Sequence, residues 1–268
     1  MSRLRLGITL VSLLAIVAII APLIAPYDPT VQLDLATLRN AAPSFAHPLG
    51  TDLYSRDLLS RLLYGARISL LIGLLAVAIS VSVGTSVGLV AGFSGGVIDI
   101  VLMRIVDAGL AIPKIFILLV VLALWEDVTV AVLIGILGFT GWFGVSRIAR
   151  AEVLSARERE YVAAARALGA GPIRLIARHI LPNIAAPIIV AATLGVGQVI
   201  LVEAGLSYLG VGVPPPQPSW GNIIRDGQDL IRTAPWISTT AGLAIVLTVV
   251  AFSILGDGVR ELLDPRER

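Results

Sequence analysis

The sequence predicts an all-α polytopic membrane protein with six transmembrane helices and both termini on one side. Two observations carry this. The composition is 57% hydrophobic and only 14% charged, a balance no ordinary soluble domain has. Uncharged runs of spanning length also recur, with 22 residues at 6–27, 31 at 68–98 and 24 at 233–256. A hydrocarbon core of roughly 30 Å needs about 20 such residues in a helix.

The same inventory narrows the function. There are no cysteines, which excludes disulfides and thiolate metal sites. The only lysine, Lys114, lies outside any Gly-Lys-Ser/Thr loop, so the chain has no phosphate-binding P-loop of its own. No His-Glu-x-x-His, Gly-x-Ser-x-Gly or paired catalytic carboxylates occur; an enzyme is not expected. The net charge of +2 is small and the basic stretches are interrupted by spans, so the bilayer, and not nucleic acid, is the expected surroundings.

Residues 1–67 hold a first span at 7–25 and a polar outer loop. Pro22 and Pro26 end or kink that span, which is read as uncleaved because no convincing small-residue cleavage site follows. Residues 57–67 read as a short amphipathic helix, with Leu58, Leu59, Leu62 and Leu63 apolar. Residues 68–268 hold five more spans, at about 68–92, 99–124, 128–146, 184–209 and 236–256. In the second span Ala76, Ser80, Gly84, Gly88 and Gly92 recur every fourth residue, a small-residue ridge suited to close helix packing. The third span carries Arg104 and Asp107, three apart and able to pair, and is interrupted by Pro113. The fifth carries Gln198 and Glu203.

Arginine and lysine count 12 on the side of the termini, 92–98 and 147–182, against 6 on the other. The positive-inside rule places both termini and 147–182 in the cytoplasm. Tyr27, Trp125 and Trp236 fall at the opposite interface, as an aromatic belt does.

The 147–182 stretch is the organising feature. Seven arginines (147, 150, 157, 159, 166, 174 and 178) stand against three glutamates (152, 158 and 160). An alanine-rich run is stopped by Gly169, and Pro172 opens a second short helix with Ile173, Ile176 and Ile180 on one face. The residues alone leave two readings: a docking element for a soluble partner, or an amphipathic segment on anionic lipid.

Ala163-Ala164-Ala165, three residues, Gly169, then Ile180-Leu181-Pro182 resemble the EAA loop of bacterial ABC importer permeases. Arg157-Glu158-Arg159-Glu160-Tyr161-Val162 and Arg178-His179-Ile180-Leu181-Pro182-Asn183 are similar to the C-type second permease of dipeptide, oligopeptide and nickel importers. So are His47-Pro48-Leu49-Gly50-Thr51-Asp52 with 56–67, Arg104-Ile105-Val106-Asp107 with Pro113, 203–210, and Pro218-Ser219-Trp220-Gly221. The resemblance covers about residues 5 to 265.

This resemblance implies a type I ABC importer permease fold in a bacterial-type cytoplasmic membrane, with 68–268 as permease core and 147–182 as coupling loop. It implies a homologous second permease, cytoplasmic ATPase subunits and an extracytoplasmic substrate-binding protein as partners, with ATP and Mg on the partners and no cofactor here. The coupling residues it implies are Glu160, Tyr161, Ala163, Ala164, Ala165, Arg166, Gly169, Pro172 and Pro182. Ala163 stands where the family usually has glutamate, so Glu160 or Arg166 would supply part of the polar contact, unless shape and apolar contact suffice.

Arg104, Asp107, Lys114, Gln198 and Glu203 are the translocation-path candidates, because charges in hydrocarbon face other helices or a water-filled path. Pairing among themselves or with a partner permease is the alternative. Peptides are the expected cargo, with nickel or other small solutes as the alternative; an ATP-independent secondary transporter is the reading of a different class.

Overall fold

The computed structural model describes residues 2–263. They form α1 (Ser2–Ile24), α2 (Leu58–Ser94), α3 (Gly96–Ala111), α4 (Lys114–Ala123), α5 (Val130–Arg157), α6 (Glu160–Ala167), α7 (Pro172–Arg174), a π-helical stretch (Leu175–Ile180), α8 (Leu181–Tyr208), α9 (Trp220–Gly227) and α10 (Trp236–Leu263). Five helical stretches are long and apolar enough to cross a membrane, and α3 with α4 makes a sixth if the bent pair is one span.

That pair departs from a simple helix over 99–124. Its two halves meet at an 85° bend at Ile112-Pro113, where proline removes a backbone donor and disfavours helical geometry in the preceding residue. Conversely, no break separates 57–67 from the second span. Asp57 caps α2 by accepting from the Ser60 amide at 2.8 Å, and the helix then runs unbroken for 37 residues.

The small-residue ridge of α2 lies against α5. A Cβ on Gly88 would fall 2.6 Å from both the Ala149 Cβ and the Ser146 carbonyl oxygen, and one on Gly92 would fall 2.8 Å from Val153 Cβ. Ser80 donates to the Gly138 carbonyl at 2.8 Å across the same seam. The main apolar core joins α2, α4, α5, α8, α9 and α10. α1 lies against α10 at one edge, with Gly7 over the Leu255 backbone.

The loop 147–182 is not two free short helices. Residues 147–157 continue α5, and α7, the π stretch and α8 form one helical run over Pro172–Tyr208. Leu181 bonds back five residues to the Ile176 carbonyl, and this wider register accommodates Pro182 in the first turn of α8. The expected Ile173/Ile176/Ile180 face is also different: Leu175 and Ile180 are buried, while Ile173 is 84% exposed.

Candidate functional site

Among the described residues, α6 alone stands apart from the transmembrane helices at the end carrying 147–182. It is short, so tertiary anchoring must hold it. Val162 is fully buried in a cluster with Ala149, Val153 and Ala156 of α5, and Leu175, Ile180 and Ile184 beyond. Burying one such valine contributes about 2 kcal/mol. At the other end of α6 the Ala170 amide bonds to the Ala165 carbonyl, and the Gly169 amide to Arg166, both at 3.0 Å. This is a Schellman cap. It requires Gly169 in the left-handed region, where φ is +83°. Ala165 and Ala170 both pack against the same cluster.

Anchoring one face leaves the other free. Glu160, Tyr161, Ala163, Ala164, Arg166 and Gly169 are exposed, as are Pro172 and Pro182, while Ala165 is half-buried. Leu168 is 89% exposed beside them. The surface is mixed: apolar patches bounded by Glu160 and Arg166.

The seven arginines separate into two groups. Arg150 binds Asp99 of α3, with one Nη2–Oδ2 contact at 2.6 Å. Arg147 meets Asp107 at 2.5 Å, and Arg157 donates to the Gly92 carbonyl at the end of α2 at 3.0 Å. These three fasten the end of α5 to its neighbours. Arg159, Arg166, Arg174 and Arg178 are exposed and make no ion pair among the described residues.

The path candidates also separate. Asp107 pairs with Arg147 and not with Arg104; Arg104 is exposed on α3. Glu203 is not part of the lining of the cavity that Lys114 enters. It is fully buried and accepts from Ser207 at 2.7 Å, Ser219 at 2.9 Å and Ser69 at 3.4 Å, tying α8 to α2 and to the cap of α9. Lys114 and Gln198 come together. They line a cavity of about 280 Å³ with Ser80, Gly141 and Gly144. Gly141 and Gly144 are not among the candidates read from the sequence; the signal they leave is a run of four glycines each three apart, Gly135, Gly138, Gly141 and Gly144.

The opposite end is closed by a buried ionic network. Asp52 accepts from both Arg56 (2.7 Å) and Arg61. Asp226 of α9 accepts from the same two arginines at 3.0 and 2.8 Å. His47 Nδ1 contacts Asp57 at 2.9 Å. Beside this network a cavity of about 490 Å³ is lined by Asp28, Tyr64, Arg67, Gln217 and Pro218. Hydrogen bonds from the Thr30 hydroxyl and amide hold the Asp28 carboxyl below its usual range.

Comparison with known proteins agrees with this arrangement. Residues 84–268 match the family described as binding-protein-dependent transport system inner membrane component. Residues 5–43 match the N-terminal TM domain of oligopeptide transport permease C. The dipeptide transport system permease protein of Escherichia coli K12 is 45% identical over 265 residues, covering 97% of this chain and 88% of that protein. The di/tripeptide transport system permease protein of Pseudomonas aeruginosa is 40% identical, covering 97% and 87%. A chain of the MetNI methionine ABC transporter, solved in inward-facing conformations, superposes with a TM-score of 0.63 at 18% identity, covering 77% of this chain and 98% of that one. At that identity the likeness concerns the fold.

Proposed function

The chain belongs to the family of binding-protein-dependent transport inner-membrane components, and from this membership we propose that it is one permease subunit of an ATP-driven importer of dipeptides or short oligopeptides. The peptide cargo is taken from the names of relatives 38–45% identical over nearly the whole chain. The observation that carries the coupling role is α6: one face is anchored by Val162 and the Gly169 cap, and the other is exposed for a partner.

In this reading the exposed face of α6 docks on a cytoplasmic ATPase subunit. A second, homologous permease completes the path, and an extracytoplasmic binding protein delivers the peptide. ATP and Mg sit on the ATPases. Closure of the ATPases moves α6, and the ion pairs from α5 to α3 pass that motion to the spans as a rigid-body change between inward- and outward-open states. The cytoplasmic membrane is the location that follows.

The test is co-purification. The chain is expressed with its neighbouring reading frames and captured. Co-capture of ATPases and a second permease, with ATP hydrolysis stimulated by a peptide-loaded binding protein, supports the reading. Uptake by this chain alone in ATP-free vesicles overturns it.

A further inference from the structure

Four charged side chains and one amide were path candidates from the sequence, and the structure leaves one charge available. Asp107 is held by Arg147, Glu203 by three serines, and Arg104 lies outside the cavity. Lys114 alone brings a charge into the cavity between α2, α5 and α8. It makes no ion pair among the described residues.

Its position follows from the helix break. Pro113 precedes it at the 85° bend, so Lys114 is the first residue of α4, and the positive end of that helix adds to its charge. The wall beside it is apolar, with Gly141 and Gly144 among its valines. A Cβ on Gly141 would run into the Ser80 side chain and sit 3.7 Å from Lys114 Nζ, whereas nothing lies within 4 Å of one on Gly144. At Gly144, therefore, a solute can approach the backbone closely. The Ser80 hydroxyl is already spent on the Gly138 carbonyl. Gln198 of α8 also lines the cavity, and its amide donates to a carboxylate or a peptide carbonyl.

We propose that Lys114, assisted by Gln198, receives the free carboxylate of the solute as it crosses. The proposal rests on the peptide-import reading above and specifies which end of the peptide this chain contacts. An ammonium in low dielectric is costly alone and is stabilised by an opposite charge. The cavity lining holds no carboxylate to meet a peptide amine. The carboxylate is thus the end that gains there, and solutes without one cross less readily.

The experiment uses the complete complex with its binding protein in proteoliposomes, and tritiated Ala-Ala as probe. Lys114→Met keeps the side-chain length and removes the charge. Its uptake should fall about tenfold, the size of one modest interaction, while subunit assembly and basal ATP hydrolysis stay unchanged. Lys114→Arg should retain uptake. Gln198→Lys in the Lys114→Met background should restore it, because the cation returns to the cavity from a different helix. Ala-Asp amide, compared at equal binding-protein occupancy, separates the two carboxylate sources. A loss for both probes means any carboxylate serves; a loss for Ala-Ala alone means the C-terminal one. Wild-type uptake by Lys114→Met overturns the proposal and leaves the peptide reading intact. So does a loss that neither Lys114→Arg nor Gln198→Lys repairs, which marks a structural lysine. A wild-type complex that moves neither Ala-Ala nor Ala-Asp amide overturns the peptide reading and this inference with it.

Discussion

The Arg61 guanidinium donates to the Asp226 carboxylate at 2.8 Å across 165 residues of chain. Arg61 is 2% exposed, and Asp52 accepts from it on the other side. Arg56 shares both carboxylates. Two cations and two anions thus balance where the first outer loop, the base of α2 and α9 meet. Removing one member of a buried network leaves charge uncompensated, which costs about 3–5 kcal/mol. Asp226→Ala should lose about 3 kcal/mol, the lower bound, because Asp52 remains. The midpoint of thermal unfolding in detergent, followed by size exclusion, should drop by several degrees. An unchanged midpoint would remove this network from the account of stability.

Gly169 is the second sensitive point. Its φ of +83° serves the cap of α6, and a Cβ there meets nothing within 4 Å. The penalty of a side chain is therefore in the backbone alone, about 1–2 kcal/mol for a residue forced into the left-handed region. Gly169→Val should loosen α6, so that ATP hydrolysis continues while peptide moved per ATP falls. Gly169→Asn should be milder, since asparagine visits this region. Equal coupling in Gly169→Val and the wild type sinks the argument.

These two sites differ in how far the sequence discloses them. Gly169 is legible because an alanine-rich run stopped by glycine has one economical ending. The α2 ridge is legible for a similar reason: Gly84, Gly88 and Gly92 mark a face through their period of four. The sequence cannot say that α5 fills that face, since a stripe names no partner. Long-range ion pairs are hidden in the same way. Spacing favours Arg104 with Asp107, yet Arg147 lies 40 residues on and takes the carboxylate. Leu181-Pro182-Asn183 reads as a stop because proline ordinarily ends an i to i+4 ladder. The π register before it removes that constraint, and no sequence pattern signals the change. Glu203 is likewise indistinct from a path carboxylate until Ser69, Ser207 and Ser219 converge on it.

The α2–α5 seam yields a third prediction. At Gly88 an added Cβ would sit 2.6 Å from the Ser146 carbonyl oxygen and 2.8 Å from the Arg150 amide nitrogen. Both atoms are backbone, so the helices must part. Gly88→Ala should cost about 1–3 kcal/mol, as overpacking does, and lower the amount of folded protein recovered from membranes. Gly135→Ala, on the same α5 but with nothing within 4 Å, is the control and should match the wild type. Equal recovery of both variants would show that the seam tolerates separation.

The last prediction concerns Ala163, the position at which α6 departs from the EAA loop it resembles. Glu160 is exposed in the first turn of α6, one turn before Ala163, and makes no ion pair among the described residues. An acid at a helix N-terminus suits the macrodipole, so the position holds a carboxylate at little cost and presents it to a partner. Glu160→Arg reverses the charge on an exposed, uncrowded surface. The fold should stay intact, and the chain should reach the membrane in normal amount. Peptide-stimulated ATP hydrolysis by the complex should fall by about tenfold if one charge-assisted contact of roughly 1.5 kcal/mol is lost. Ala163→Glu in that background should recover part of the coupling, because it restores a carboxylate one helical turn away on the same face. Transport by Glu160→Arg at wild-type level would mean that shape and apolar contact, through Tyr161, Ala164 and Leu168, hold the ATPase without help from Glu160.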